Sequence, residues 1–391
     1  MERKSFKLNN GITVVANVCD SDQVHVALTV NVGHINEPKL GIATLFEQVL
    51  MKQSSNIQSV HGGTITSYFT GCTEDELEMT LTKIANLVKT PHFNAELVTL
   101  VAEDIIAHMN DLAPLPKRQM KLLYKHTAFA KAGKVWNTQA YAKAIRSYGV
   151  CDLQKFADKF MTGKNMVIAV SSKKISAEKV NALVEKCFGD VKPGTKHKIQ
   201  NDIYTGGSDS ILAEKSYRQV MMGWDVSGLS GIAEANVLMS MLAGRLERSF
   251  IGQDVDIEVK IAGYYGMRTL RISVTSHDGE DVNKFTDIIC ANVRRLRTTL
   301  ASDRRMETSR NRAMSEKLFI FSQPQDGAVE IAWQLLGRGS MYDINERINA
   351  TWQVSARDVQ EIANDIFSQP LTYVVYAKEP FYSYDDVLVK L

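Results

Sequence analysis

The chain has 391 residues, 45% of them hydrophobic and 23% charged. That balance belongs to a globular protein of two or three domains and excludes a disordered or low-complexity chain. With 46 Lys and Arg against 44 Asp and Glu the net charge is +2, so no strongly basic face calls for nucleic acid, and no long apolar run calls for a membrane span.

The opening residues Met1-Glu2-Arg3-Lys4 lead into no apolar stretch of the kind a secretory signal carries, so a cytoplasmic protein is expected. Residues 13–18 are rich in β-branched side chains and read as a strand. Residues 25–32 read as its hairpin partner, joined through the polar turn Asp20-Ser21-Asp22. Gly41-Ile42-Ala43 opens an amphipathic helix over 41–50, and helical spacing recurs over 74–87 and 95–109. Asp152-Leu153 begins another helix that reaches Phe160, followed by a strand over 166–170 and a helix over 178–188 stopped by Gly189. Residues 194–210 are polar and include Gly206-Gly207-Ser208, which reads as an exposed linker. Beyond it a strand is expected over 270–274 and helices over 281–300, 305–319 and 328–336, with a turn at 322–326.

The chain repeats itself. Val30, Gly33 and Gly41-Ile42-Ala43 return 190 positions later as Val220, Gly223 and Gly231-Ile232-Ala233. The helix from Asp152-Leu153 and its following strand return 206 positions later as Asp358-Val359 and a strand over 372–376. Two matches in the same order indicate a duplication with a net insertion in the second copy. The expected class is α+β: two homologous repeats, each a mostly antiparallel sheet covered by helices. The boundaries are 1–197 for the first repeat, 198–210 for a linker and 211–391 for the second.

On the first helix Thr44, Glu47 and Gln48 stand at i, i+3 and i+4 and share one face. The stretch Gly41-Ile42-Ala43-Thr44-Leu45-Phe46-Glu47-Gln48 resembles the G-x-A-H-x-x-E-H helix of the insulinase, pitrilysin and mitochondrial-processing-peptidase family of inverted zincins. The resemblance extends through Gly62-Gly63-Thr64, Pro91-His92-Phe93, Asn165-Met166-Val167 and Phe188-Gly189-Asp190. It implies that two histidines and a later glutamate would hold zinc, with the intervening glutamate activating water. Here Thr44 and Gln48 replace the histidines, and neither is a good zinc ligand. The third ligand would fall near 106–108, where no glutamate stands and Glu103 and Asp104 precede by a turn or less; His108 could substitute, and one ligand makes no site. Glu47 alone is retained, either as a relic carboxylate lining a chamber or as a solvated helix residue paired with a cation. The resemblance also implies an Arg and a Tyr seven apart in the second copy. Counting from Arg245 and Arg248 gives Gly252 and Val255 instead, while Tyr264 and Tyr265 fit the start of the next strand.

By this resemblance the chain is a non-catalytic subunit that carries no cofactor of its own. It would pair as a clamshell heterodimer with an H-x-x-E-H relative that holds zinc, and the pair would bind and process peptides, by analogy with members that act on peptide natural products and cofactor precursors. The alternative is a scaffold resembling the core proteins of the cytochrome bc complex. An active metallopeptidase with an unusual site is the third reading. Among the remaining features, the five scattered cysteines read as apolar fillers. The seven arginines between 294 and 312 read as solvated helix faces, His61 as a surface residue, and Trp224, Trp333 and Trp352 as core or interface packing.

Overall fold

A computed structural model describes residues 3–130, 138–198, 202–212, 216–264, 267–322, 324–341, 343–378 and 380–391. Chain order begins with β1 (Arg3–Lys7), β2 (Thr13–Val18), β3 (Val24–Val30), α1 (Ile42–Lys52), β4 (Gln58–His61) and β5 (Thr66–Cys72). Next come α2 (Leu77–Lys89), α3 (Ala95–Leu112), α4 (Pro116–Ala128), α5 (Thr138–Arg146), α6 (Val150–Phe160), β6 (Met166–Ser172) and α7 (Ala177–Phe188). The second set is β7 (Gly207–Leu212), β8 (Arg218–Asp225), α8 (Ile232–Ser249), β9 (Val255–Tyr264), β10 (Met267–Ser276), α9 (Val282–Thr298) and α10 (Asp303–Ser322). It closes with α11 (Pro324–Arg338), α12 (Ile344–Gln353), α13 (Ala356–Phe367), β11 (Thr372–Ala377) and α14 (Tyr384–Lys390).

The strands form two sheets, β1-β2-β6-β3-β5-β4 and β7-β11-β8-β10-β9. From β2 onward the first order is reproduced strand for strand in the second. In each sheet one pair is parallel, β2 with β6 and β7 with β11, and the others are antiparallel. The class is α+β, two sheets covered by helices.

The expected hairpin of residues 13–18 with 25–32 does not form. β6 lies between the two strands, parallel to β2 and antiparallel to β3. Every residue of β6 is buried, from Met166 through Val170 to Ser172. Such a strand gains most from a central position, and that outweighs the local closure a short polar turn offers. The linker reading is also corrected in part. Residues 207–210 belong to β7, which pairs with β11, while 199–201 lie outside the described residues.

The chain divides into two compact units that exchange segments: residues 1–109, 138–200 and 317–344 make one, and 110–137, 201–316 and 345–391 the other. In the first unit, alternation puts Val14, Val26, Leu28, Tyr68 and Ile168 into a core under α1, α2, α6 and α7. The opposite face of that sheet is covered by α11, whose Trp333 Nε1 donates to Ser67 Oγ at 2.8 Å. In the second unit Met222, Trp224, Leu270, Ile272 and Tyr373 pack under α8, α9 and α13. The opposite face receives α4, through Met120, Tyr124 and Ala128 against Met221 and Val374.

The recurring Asp152 and Asp358 have a physical explanation. Each carboxylate accepts the backbone N–H at the start of its helix, from Gly149 at 3.2 Å and from Ser355 at 2.7 Å. The arginines of α9 and α10 are not simply solvated. Arg294 and Arg297 donate to the Lys390 and Leu391 carbonyls at the chain end, and Arg310 Nε donates to the Val354 carbonyl at 2.9 Å. Trp224 is fully buried in the core, whereas Trp352 is 43% exposed and so is not part of it. Of the cysteines, Cys19, Cys187 and Cys290 are buried, but Cys151 is exposed at the start of α6.

Candidate functional site

The site of interest lies on α1. Its first turn is set by Gly41, which has φ 80°, a left-handed conformation that glycine adopts without strain. A Cβ there would also stand 2.9 Å from Ile145 Cγ1 and Tyr141 Cζ, so both conformation and space require glycine. A second glycine, Gly33, allows the segment after β3 to approach the Gly62-Gly63 turn. A Cβ at Gly33 would fall 2.3 Å from the Gly62 carbonyl oxygen. Ile35 N–H donates to the Gly63 carbonyl at 2.7 Å across that approach.

No side chain of the helix's own N-terminal residue caps it. Glu37 does so from outside: Oε1 accepts the Gly41 N–H at 2.6 Å and Oε2 the Ala43 N–H at 2.9 Å. These satisfy donors that an uncapped first turn would leave open. Burial nevertheless prevails over those bonds and pushes the Glu37 carboxyl up to about 7. Sequence reasoning missed this residue. The available signal was an acid four positions before the Gly-Ile-Ala helix start.

Helical phase sends Ile42, Leu45, Phe46, Val49 and Leu50 into the core, with Phe46 packed against Phe93 and Phe156 at ring distances of 5.7 and 4.9 Å. Glu47 follows them inward and is 2% exposed. Its Oε2 accepts from Gln48 Nε2 at 2.8 Å, and its Oε1 accepts from the Ser59 hydroxyl on β4. Burial pushes the Glu47 carboxyl up, partly offset by those two bonds, and burial first, with the Glu47 charge second, raises Tyr68. The reading of Glu47 as a solvated residue paired with a cation is therefore corrected. Its partners are a hydroxyl and an amide, because its helix phase points it under β4.

Thr44 is half-buried and Gln48 exposed on the same helix. His108 is exposed on α3. The carboxylates near it are engaged elsewhere: Glu103 takes Arg146 on both oxygens at 2.8 Å, and Asp104 pairs with Lys52 at 3.0 Å. Among the described residues no group of three His, Cys, Asp or Glu side chains could hold a metal. The residues present do not fit a zinc ion: Thr44 offers a hydroxyl, and the Gln48 amide is turned onto Glu47.

His61, read as a surface residue, is half-buried, shares a bond with Thr66 Oγ1 at 2.9 Å, and is pushed down to about 4 by burial. Arg245 is 4% exposed with no partner for its Nε, and burial together with Arg305, Arg295 and Arg248 pushes it down to about 10. Tyr264 ends β9 instead of starting the next strand, and Tyr265 lies outside the described residues.

Glu47→Gln is expected to gain in melting temperature relative to the native chain as pH rises from 4 to 8. A raised carboxyl contributes stability below its ordinary value and loses it as pH climbs through the folded value, so the gain should grow with pH and vanish near pH 4. Thermal melts of both chains at several pH values measure this, and a pH-independent difference would refute it.

Comparison with known proteins bears on the fold and on part of the chain. Residues 150–313 match the family model described as the Peptidase M16 inactive domain. No curated protein matches. Among solved structures, a chain of complex III from Candida albicans with Inz-5 bound superposes with a TM-score of 0.86 at 16% identity, covering 99% of each chain. A protease from Helicobacter pylori superposes at 0.84, with 16% identity, 97% of this chain and 100% of that one. This chain has their fold. At that identity the likeness speaks to architecture alone, and the same architecture serves a protease and a chain of complex III. Among the described residues no helix is long and apolar enough to cross a membrane.

Proposed function

We propose that this chain is a non-catalytic subunit of the M16 peptidase type. It pairs with a relative that carries H-x-x-E-H and holds zinc, and the pair binds and processes peptides in the cytoplasm. The observation that carries this reading is the α1 face, where Glu47 is kept but is bound to Gln48 and Ser59 between positions without a zinc ligand. The match of residues 150–313 to an inactive domain of that family supports it, as does the superposition on a protease. A second reading, a scaffold subunit, is favoured by the superposition on a complex III chain.

Purification from the native host, read by mass spectrometry, metal analysis and peptide hydrolysis, separates the two. The expected result is an equimolar H-x-x-E-H relative, with about one zinc per pair, hydrolysis by the pair, and neither zinc nor hydrolysis in this chain alone. Recovery with membrane respiratory subunits would favour the scaffold. Chelator-sensitive hydrolysis by this chain alone would overturn both.

A further inference from the structure

Arginines of three helices gather around a buried cation in the second unit. Arg245 of α8 is 4% exposed, and its Nε has no hydrogen-bond partner. α8 and α9 run antiparallel beside it: Phe250 meets Phe285 at a ring distance of 5.8 Å, and Asn292 Nδ2 donates to Ser249 Oγ at 3.1 Å. Arg245 is one turn before Ser249 and Arg295 one turn after Asn292, so the two stand side by side. α10 is tied to α8 by Arg312, which donates to both oxygens of Glu247 at 2.8 and 2.9 Å. Two turns earlier on the same face of α10 is Arg305. Arg248 completes the group. A Cβ built on Gly244 would lie 3.6 Å from Arg248 Nη1 and 4.0 Å from Arg312 Nη1.

The nearby acids do not neutralise this group. Glu247 and Glu316 are both bound to Arg312. Asp303 and Glu307 are exposed two positions either side of Arg305, about 160° around α10 from it. Asp287 of α9 pairs with Lys390, and Asp254 beyond α8 is exposed. The charges that act on Arg245 are Arg305, Arg295 and Arg248, which follow burial in pushing it down to about 10. Helix ends explain only part of the arrangement. Arg248 and Arg295 lie in the last turns of α8 and α9, where the helix dipole favours a cation. Arg305 lies in the first turn of α10, where the dipole opposes one. A buried guanidinium nitrogen without a partner costs stability, and like charges around it add to that cost.

We propose that Arg245, Arg248, Arg295 and Arg305 bind a phosphate group, either free or carried on a small ester. An anion with several acceptor oxygens answers both the unpartnered nitrogen and the repulsion. A phosphomonoester brings nearly two charges and three such oxygens, which suits guanidinium forks arriving from three helices. A carboxylate brings one charge and two oxygens. Gly244 supplies the room. Glycine inside a helix weakens it relative to alanine, and here the missing side chain leaves a space bordered by the Arg248 and Arg312 guanidiniums. The proposal is independent of the peptide-binding reading above.

Calorimetry and thermal melts on the full chain test this, with inorganic phosphate and phenyl phosphate as probes and acetate and chloride as controls at constant ionic strength. Phosphate at a hundredfold excess over its dissociation constant is expected to raise the melting temperature by several degrees, and the controls are not. R245Q and R305Q should each weaken phosphate binding at least about tenfold. G244L should weaken it by filling the space, with no change of charge. R357Q, which removes an exposed arginine elsewhere in the unit, should leave it intact, and circular dichroism verifies that each variant is folded. Tighter binding of phenyl phosphate would assign the site to an ester and tighter binding of inorganic phosphate to the free ion; either supports the site. An equal response to acetate and chloride would overturn the proposal. So would unchanged phosphate binding in folded R245Q and R305Q, or tighter binding of a single-stranded oligonucleotide than of either phosphate to the same arginines.

Discussion

Glutamine in place of Glu37 is expected to abolish a decline in stability that the native chain undergoes between about pH 4.5 and about pH 7. The sign follows from the raised carboxyl. The folded state prefers the protonated acid, so its contribution is complete below the ordinary value of 4.5 and is lost as pH rises to about 7. The full span corresponds to at most about 3 kcal/mol, since one pH unit is worth about 1.4 kcal/mol. The residue matters because its two oxygens hold the N–H groups of Gly41 and Ala43, and with them the start of the helix that presents Thr44, Glu47 and Gln48. Glutamine keeps one acceptor and loses the other, so a small constant loss should accompany the flattened profile. Denaturant titrations of both chains from pH 4 to pH 8 would show it. Parallel profiles would mean that Glu37 does not titrate in this range.

Trp224→Ala should destabilise the chain by about 3–5 kcal/mol. The indole is fully buried on β8 and meets Phe367 of α13 edge to face at 4.8 Å. Its Nε1 has no hydrogen-bond partner, so the loss comes from volume and packing alone. Trp224→Phe keeps the aromatic contact and should lose much less. Urea unfolding followed by circular dichroism measures both. A loss below about 1 kcal/mol for alanine would show that neighbouring side chains collapse into the space.

Much of the architecture was legible because the duplication left two independent traces. Gly41-Ile42-Ala43 and Gly231-Ile232-Ala233 both open long helices after a strand, and Asp152 and Asp358 both mark helix starts. Strand order was not legible. Whether β2 pairs with β3 or admits β6 depends on burial across well over a hundred residues of chain, and a short polar turn carries no information about it. The chemistry of the site divides in the same way. That Thr44 and Gln48 are poor zinc ligands follows from their side chains. That Glu47 is buried beneath Ser59, or that Glu37 caps the helix, depends on the return of β4 and on backbone N–H groups that no residue type records. Gly207 and Ser208 read as linker for a related reason: β7 is an outer strand whose residues stay partly solvated, so it lacks the apolar alternation that marks a strand.

The exchange of α4 and α11 also sets a timetable for synthesis. The strands of the first sheet are complete once Ser172 has been made, yet the helix that covers its second face ends at Arg338. Until then Thr29, Ser67 and the apolar positions beside them face solvent or a chaperone, and the nascent chain carries a half-covered sheet through most of its remaining translation. Closing a loop of that length is slow compared with local hairpins and helices. The growing chain is therefore at its most vulnerable to aggregation and proteolysis well after its first half has left the ribosome. Damage to α11 would strike the unit made first by way of residues made near the end.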